Sequence, residues 1–344
     1  MKALLLSEYS HLEVVDFPMP LPAAGEVLLK VAACGICGSD VHGYDGSSGR
    51  RIPPIVMGHE AAGIVATVGE GVSSVSVNDH VTFDSTVYCG SCSFCRRGEV
   101  NLCDRRQVVG VSCGDYRRHG AFAEYVSVPS RILYKLPDNL PFAEAAMLEA
   151  IAVAMHGVSL AKVAPDATAL VIGAGMIGLL TLQALRVAGC SRAFIADIDQ
   201  TRLNLAKQIG ASTVLDSKDP NFVAQIYQLT QGLGVDVVIE AVGRTETIQV
   251  SIDSVRKGGT VVLVGNISPE ITLPLQKVVT RQICLQGSCG SAGEYPRAIE
   301  LLASGAIQVK PLITAVSRLE DGPRWFDRLH SREANLMKVV LTPE

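Results

Sequence analysis

Aromatic residues are scarce in this chain of 344 residues: they make up 5%, and charged residues 19%, against 48% hydrophobic residues. Such a composition excludes a disordered or collagen-like chain and suits buried parallel strands covered by helices. Because one domain usually takes roughly 100 to 200 residues, the length predicts two domains, each with its own core.

An excess of charge of one sign is also lacking, since 30 basic and 34 acidic side chains leave a net charge of −4. No global field therefore draws the protein to nucleic acid or to anionic lipid. A signal peptide is not expected either, because Glu8 interrupts the first apolar residues. We expect a cytoplasmic protein with no nucleic-acid or membrane partner.

The long uncharged run at residues 167–185 contains three glycines and several polar residues. We interpret it as a strand, a turn and a helix, which explain it better than a membrane span. Residues 27–136 have the pattern of short strands and turns. After 143 a helical pattern begins, and further strands are predicted at 169–172, 193–196, 213–215, 235–239, 260–264 and 283–285. Helices between these strands indicate an α/β fold with a doubly wound parallel sheet.

A glycine-rich turn follows the strand at 169–172 and opens a helix; it reads Gly173-Ala174-Gly175-Met176-Ile177-Gly178. Glycines at this spacing let a pyrophosphate approach backbone N–H groups and let the helix pack close to the strand. Asp197 stands 19 residues after Gly178, where a carboxylate accepts the hydroxyls of an adenosine ribose. The turn therefore predicts a dinucleotide site, with a tight turn and a surface aspartate as the structural alternative.

Four of the ten cysteines form a Cys-x2-Cys-x2-Cys-x7-Cys pattern: Cys89, Cys92, Cys95 and Cys103. Four closely spaced thiolates satisfy a tetrahedral Zn²⁺ and leave no open position, which indicates a structural zinc. An iron–sulfur cluster and a set of redox-active thiols are the alternatives.

A second, dispersed group contains Cys37, Ser39, His42, His59, Glu60 and Glu149. Taken singly, these residue types are more often structural: a buried cysteine packs as a small hydrophobe, for example. In order, however, Cys-Gly-Ser-Asp-x-His, Gly-His-Glu, the cysteine lobe and the glycine turn resemble the zinc-dependent medium-chain alcohol and polyol dehydrogenases. That resemblance implies a GroES-like catalytic domain at 1–147 and 294–344, with a zinc lobe at about 86–106, and a Rossmann domain at 148–293.

The same resemblance implies roles for single residues. Cys37 and His59 would be ligands of a catalytic zinc, Glu60 would lie in or beside its coordination sphere, and Glu149 would fill the fourth protein position. Ser39 and His42 would relay the hydroxyl proton, while Asp40 is expected to be structural. Two zinc ions per chain, NAD as cofactor, an arginine such as Arg202 near the ribose, and a homodimer or homotetramer are further implications.

The substrate expected from the resemblance is a secondary alcohol or polyol. Residues 286–293 lack the Arg-Tyr pair of sorbitol dehydrogenases, whereas 120–125 and 148–149 are similar to galactitol-1-phosphate dehydrogenases. Four arginine pairs, at 50–51, 96–97, 105–106 and 117–118, are either a phosphate clamp or solvated faces. L-Threonine or a vicinal diol is the alternative substrate, and a zinc-knuckle nucleic-acid-binding protein is the alternative of another class.

Overall fold

The computed structural model describes residues 1–343. The strands are β1 (Lys2–Glu8), β2 (His11–Asp16), β3 (Glu26–Gly35), β4 (Ile55–Val56), β5 (Glu60–Val68), β6 (His80–Phe83), β7 (Thr86–Val87), β8 (Gln107–Val108), β9 (Val111–Ser112), β10 (Arg117–Arg118), β11 (Tyr125–Pro129), β12 (Leu133–Lys135), β13 (Thr168–Ile172), β14 (Arg192–Asp197), β15 (Thr213–Asp216), β16 (Val235–Glu240), β17 (Val255–Leu263), β18 (Cys284–Gly287), β19 (Ile313–Arg318) and β20 (Lys338–Thr342). The helices are α1 (Gly38–Tyr44), α2 (Ser93–Arg96), α3 (Phe142–Ala145), α4 (Leu148–Leu160), α5 (Met176–Val187), α6 (Gln200–Gln208), α7 (Phe222–Leu229), α8 (Thr245–Ser254), α9 (Leu275–Thr280), α10 (Tyr295–Ala303) and α11 (Gly322–His330).

The chain divides into two compact units. The first contains Met1–Glu149, Tyr295–Ala303 and the segment from Val309 onward; the second contains Ala150–Glu294 and Ser304–Gln308. The domain boundaries expected from the sequence lie after residues 147 and 293. In the structure the chain passes from one unit to the other after residues 149 and 294. Residues 304–308, expected in the first domain, lie in the second unit.

The second unit is built on a six-stranded sheet in the order β15-β14-β13-β16-β17-β18. All its ladders are parallel. Its strands are apolar on both faces because helices cover them, and Leu170, Phe194 and Val238 are almost fully buried between the layers. The predicted doubly wound α/β fold is therefore confirmed, and the uncharged run at 167–185 forms β13 and α5 as expected.

The first unit is mainly antiparallel. Its larger sheet has the order β12-β6-β5-β3-β20-β19, and β11 also pairs with β3. The C-terminal strand β20 joins β3 at the pair Val340 and Gly35. Because β3 also pairs with β5, the ends of three distant segments meet beside Gly35.

The helix predicted after residue 143 is interrupted. It forms α3 and α4, and between them the Met147 N–H binds the carbonyl of Glu144 rather than one four residues back. Such a tight bond adds a turn that the sequence spacing does not reveal. Among residues 1–343, the stretch Phe142–Leu160 has the length and composition of a membrane-crossing helix, but 56% of it is buried in the protein, as in a core helix.

Candidate active site

The structure brings Cys37, His59 and Glu60 together in the first unit. Cys37 caps the N-terminus of α1, two residues after the end of β3, and His59 directly precedes β5. Since β3 and β5 are paired in the register Gly35 to Glu60, the two ends lie side by side. The ligand atoms of the three residues all lie within 4.8 Å of one another. We call this set the Cys37 cluster.

Asp40 lies beside two members of the Cys37 cluster. Its Oδ1 lies 3.3 Å from Nδ1 of His59, and its Oδ2 accepts a 3.2 Å hydrogen bond from the backbone N–H of Cys37. Asp40 is fully buried. Burial opposes its charge, yet His59 and Arg51 hold the pKa of Asp40 well below its usual range. A carboxylate behind a histidine orients the ring and its ligating nitrogen.

Lys338, which begins β20, holds the third member. Its Nζ lies 2.5 Å from Oε2 of Glu60 and donates a 3.0 Å hydrogen bond to the Ile36 carbonyl. Both side chains are almost fully buried. The Glu60 carboxylate fits here because Gly35 has no side chain: a Cβ at that position would overlap Oε2. Sequence reasoning missed Lys338, which no motif marks.

The remaining predicted residues lie around the cluster in different ways. Ser39 Oγ is 3.5 Å from Nε2 of His59, and His42 is exposed one turn further along α1. Glu149, in the first turn of α4, is not part of the mutually close group. Burial raises the pKa of Glu149 to about 7, with His59 opposing this rise and Glu60 adding to it. Its role as a fourth ligand stays a prediction.

The charges around the cluster suit a divalent cation. Four acidic side chains, those of Cys37, Asp40, Glu60 and Glu149, face two cations, Arg51 and Lys338. The buried Asp84 carboxylate also acts on Glu149, so the negative charges near the cluster outnumber the two cations. Thiolate, imidazole and carboxylate are also the ligands that zinc takes in proteins. The residues present therefore fit a zinc ion.

Without a metal, protons would have to supply that missing charge. Burial opposes charging His59, but Asp40 and Cys37 raise its pKa well above the ordinary value. The raised pKa of Glu149 likewise favours its protonated form. Because zinc binds the deprotonated forms, metal binding at this cluster must release protons.

The cysteine lobe is a second candidate metal centre. The sulfurs of Cys89, Cys92, Cys95 and Cys103 all lie within 4.8 Å of one another. The Cys89–Cys95 and Cys92–Cys95 separations are 3.9 and 3.5 Å, too long for a disulfide of about 2.05 Å. They are close to the edge, about 3.8 Å, of a tetrahedron with Zn–S bonds of about 2.3 Å.

Backbone N–H groups surround these sulfurs. Cys89 Sγ accepts from Ser91 and Cys92, and Cys103 Sγ accepts from Cys89 and Arg105, at 3.3 to 3.4 Å. Hydrogen bonds from the backbone and side chain of Ser91 lower the pKa of Cys89 to about 5. Burial and the neighbouring Cys92 raise the pKa of Cys95 to about 11. The loop is thus shaped to hold thiolates, and the four residues fit a structural zinc.

The glycine turn of the second unit leaves room for a cofactor. Gly173 has a positive φ of 99°, and a Cβ at Gly178 would overlap the Gly173 carbonyl oxygen, so helix α5 packs tightly on the turn. A Cβ at Gly175 would meet no protein atom within 4 Å. Met176 and Ile177 open α5, where the first N–H groups have no partner within the helix. The turn thus fits a pyrophosphate.

Asp197, at the end of β14, is tied to this turn. Its Oδ2 accepts a 2.5 Å hydrogen bond from Ala174 N–H, and its Oδ1 accepts from Ile198 and Asp199 at 2.7 and 3.0 Å. Arg202, half-exposed on α6, lies 3.8 Å from the Asp199 carboxylate, two residues beyond Asp197 in the chain. The carboxylate is therefore at the turn, as the sequence predicts, but it also serves the backbone.

Sequence reasoning also missed Glu240 at the end of β16. It is fully buried, and its carboxylate accepts hydrogen bonds from the N–H groups of Val242 and Gly243. Burial raises its pKa. Glu240 therefore fixes the loop that follows β16, at the strand edge where doubly wound sheets bind ligands. Its position at the end of a predicted strand was the available signal.

Comparison with known proteins identifies the scaffold. Residues 23–138 match the alcohol dehydrogenase GroES-like domain, and residues 177–304 match the zinc-binding dehydrogenase family. The chain belongs to the zinc-type medium-chain alcohol dehydrogenases. This dehydrogenase is 33% identical to sorbitol dehydrogenase from Bacillus subtilis over 347 residues, covering 100% of the chain and 97% of that protein.

Two solved structures are similar over almost the whole dehydrogenase. One, from Sinorhizobium meliloti 1021, is described as a zinc-binding dehydrogenase bound to NADP; its TM-score is 0.91 at 32% identity, with 99% of each chain covered. The other is galactitol-1-phosphate dehydrogenase from Escherichia coli, with a TM-score of 0.92 at 26% identity over 100% of both chains. The family resemblance and the zinc-dependent dehydrogenase chemistry expected from the sequence are confirmed, while the expected choice of NAD over NADP stays a prediction.

Replacing Cys37 with serine should remove one zinc ion and most of the activity while the fold persists. A metal acting as Lewis acid contributes several kcal/mol, so we expect kcat/KM to fall by about 1,000-fold. Metal analysis, circular dichroism and turnover measure these effects. Cys284→Ser, at an exposed cysteine outside both centres, is the control. Unchanged turnover in Cys37→Ser would contradict the assignment.

Replacing Cys95 with alanine should remove the other zinc and destabilise the lobe. Metal binding and loop folding are one equilibrium, so the variant keeps three thiols on an untethered segment. A decrease of about 3 kcal/mol in the free energy of unfolding would lower Tm by about 6 to 12 °C for a domain of this size. Calorimetry and zinc analysis test this, with Cys113→Ala as the control. Two zinc ions per chain in Cys95→Ala would count against it.

Proposed function

We propose that the protein oxidises a secondary alcohol or polyol to a ketone and transfers the hydride to NAD. The observation that carries this proposal is the Cys37 cluster with Ser39 Oγ 3.5 Å from the His59 ring. Ligands and a proton acceptor for the alcohol are thus adjacent. Zinc bound there would act as a Lewis acid on the alcohol oxygen, and the nicotinamide would accept the hydride.

The protein's own groups then have separate tasks. Ser39 accepts the hydroxyl proton of the substrate, and the exposed His42 passes it towards solvent. Asp40 holds the His59 ring, and Lys338 holds the Glu60 carboxylate. Glu149 completes the ligand set in this proposal, as the family resemblance implies. It lies in the first turn of α4, and His59 and Glu60 of the cluster both influence its pKa.

The substrate class rests on the relatives and on this chain's own residues. One relative acts on sorbitol and another on galactitol 1-phosphate, by their names. Three of the four arginine pairs each have one arginine that already forms an ion pair within the protein. These ion pairs are Arg51 with Asp40, Arg97 with Glu99, and Arg118 with Glu26. This pairing favours an uncharged polyol over a phosphorylated one.

The experiment is a substrate panel followed by the absorbance of reduced nicotinamide. The panel contains sugar alcohols, their phosphates, vicinal diols and L-threonine, each with NAD⁺ and with NADP⁺. We expect the highest kcat/KM with a polyol. Preference for L-threonine or a simple diol would replace the substrate assignment, and no turnover with any alcohol in zinc-loaded protein would refute the function.

The proposed preference for NAD rests on Asp197. Its carboxylate would face the adenosine ribose, where NADP carries a phosphate. At an effective dielectric near 20, two unit charges about 4 Å apart repel by about 4 kcal/mol. The relative from Sinorhizobium meliloti binds NADP, so the scaffold alone does not settle the preference. The residue at position 197 is what distinguishes the two cofactors in this proposal.

Asp197→Ala should raise KM for NAD⁺ and reduce the difference in kcat/KM between NAD⁺ and NADP⁺. A hydrogen bond to a charged group contributes about 1.5 to 3 kcal/mol, so we expect a rise of about 10- to 100-fold. Steady-state kinetics with both cofactors measure it. Asp216→Ala removes the neighbouring carboxylate at the end of β15 and should leave the ratio of kcat/KM for NAD⁺ to that for NADP⁺ unchanged. A wild-type enzyme more efficient with NADP⁺ would overturn the assignment.

Two further features are part of the proposal. A cytoplasmic location fits a cluster of thiolates that must stay reduced. A homodimer fits the exposed edge of the six-stranded sheet, where β18 has one unpaired side. Exposed apolar residues precede it in the chain: Ile271, Leu273, Leu275 and Val279. A second copy would cover both the edge and this surface.

Val279→Glu should weaken this assembly, because it places a charge in the apolar surface. Val279 is 67% exposed in one chain, so the fold tolerates the change. We expect a lower mass by light scattering at micromolar concentration. Leu233→Glu, at a residue 68% exposed between α7 and β16, is the control. A monomeric wild-type protein, or equal masses for all three proteins, would rule out this interface.

A further inference from the structure

Arg51 is a buried cation that the proposed chemistry does not use. It lies in the segment between α1 and β4, and its side chain is 4% exposed. The side chain passes under α1 because Gly43 has no Cβ; one built there would overlap Arg51 Cγ. A guanidinium is rarely removed from water unless it has partners.

Its partners are groups of the candidate active site. Nη2 of Arg51 lies 3.0 Å from Oδ1 of Asp40 and donates a 3.2 Å hydrogen bond to Oγ of Ser39, while Nη1 donates to the Arg50 carbonyl. The same Asp40 oxygen faces His59. One guanidinium nitrogen thus contacts both the proton acceptor and the carboxylate that orients a zinc ligand.

The bond to Ser39 has a directional consequence. A serine oxygen has two lone pairs and one hydrogen. When Arg51 occupies one lone pair, the other lone pair remains for the substrate hydroxyl, and the hydrogen must point elsewhere. A proton acceptor in a relay needs this arrangement, because it receives one proton while it gives another away. A charged donor also strengthens the serine as a donor in its turn.

We propose that Arg51 is a positioning residue for the proton-transfer step, which acts by fixing the Ser39 hydroxyl and, through Asp40, the His59 ring. This inference rests on the proposed function for Ser39. The alternative is that Arg51 only anchors its loop by a buried ion pair. If Arg51 positions Ser39 and His59, the effect of removing it depends on Ser39 and extends to the release of the metal. If Arg51 only anchors its loop, the effect does not depend on Ser39.

The first test is a double-mutant cycle on kcat with the best alcohol of the panel. Arg51→Met should lower kcat by about 10-fold or more in the wild type, with KM for NAD⁺ unchanged, but by less than about 2-fold in Ser39→Ala. Arg51→Lys, which keeps the charge, should recover part of the loss. Equal fold losses with and without Ser39 would overturn the proposal, since coupled residues are non-additive.

The second test needs no turnover. Zinc removal by a chelator is followed in two phases, assigned by their loss in Cys37→Ser and Cys95→Ala. Arg51→Met should speed release from the Cys37 cluster about 10-fold and leave the lobe unchanged. Arg118→Met breaks another ion pair, with Glu26, and should change neither phase. Unaltered release in Arg51→Met would refute the contact through Asp40.

These readouts separate the inference from the proposed function. If no alcohol is oxidised, the function fails while the zinc-release test still decides the role of Arg51 at His59. If Arg51→Met does not fold, Arg51→Lys carries both tests: its guanidinium fork is lost, so release should still be faster than in the wild type. Wild-type kcat and release in Arg51→Lys would contradict the need for the fork.

Discussion

The arrangement of the first unit depends on balancing negative charge in a place with little water. Cys37, Asp40 and Glu60 converge there, and unpaired ions in such a site cost several kcal/mol each. Arg51 and Lys338 compensate part of this charge, and a divalent cation bound by the cluster would compensate more of it. The raised pKa of His59 reflects the same excess of negative charge, because a proton on its ring is another source of positive charge.

This balance explains why the first unit uses both ends of the chain. Glu60 and Lys338 are 278 residues apart, and they meet because β20 pairs with β3, which in turn pairs with β5. Without β20, Glu60 would have no buried cation. The strand order therefore determines which charges compensate one another in the cluster.

The sequence predicted best what is local. The four cysteines of the lobe lie within 15 residues and the glycine turn within six, so spacing alone placed them. The six strands of the parallel sheet were predictable because their apolar runs are separated by regular helices. Lys338 was not predictable, because its partner Glu60 is 278 residues away. Arg51 was not predictable either, although Asp40 is only 11 residues away, since no local pattern states that a surface-type residue is buried.

Glu149 shows a different limit. Its side chain is placed by α4, whose start depends on the tight turn after Glu144, and spacing does not report such a turn. The sequence could state which residue type belongs there by resemblance, but not how it is aimed. The structure places its charge near His59 and Glu60 without including it in the mutually close group.

Asp197 joins cofactor choice to the structure of the glycine turn. Its carboxylate accepts from Ala174 N–H as well as from the two residues that follow it. Alanine there removes a charge and leaves three backbone N–H groups without their acceptor, whereas asparagine removes the charge and keeps one of the two accepting oxygens, its NH₂ group replacing the other. Both substitutions remove the charge, and they differ in how many hydrogen bonds of the turn survive. If charge alone excludes a 2′-phosphate, asparagine should admit NADP⁺ at least as well as alanine, with a smaller loss of Tm.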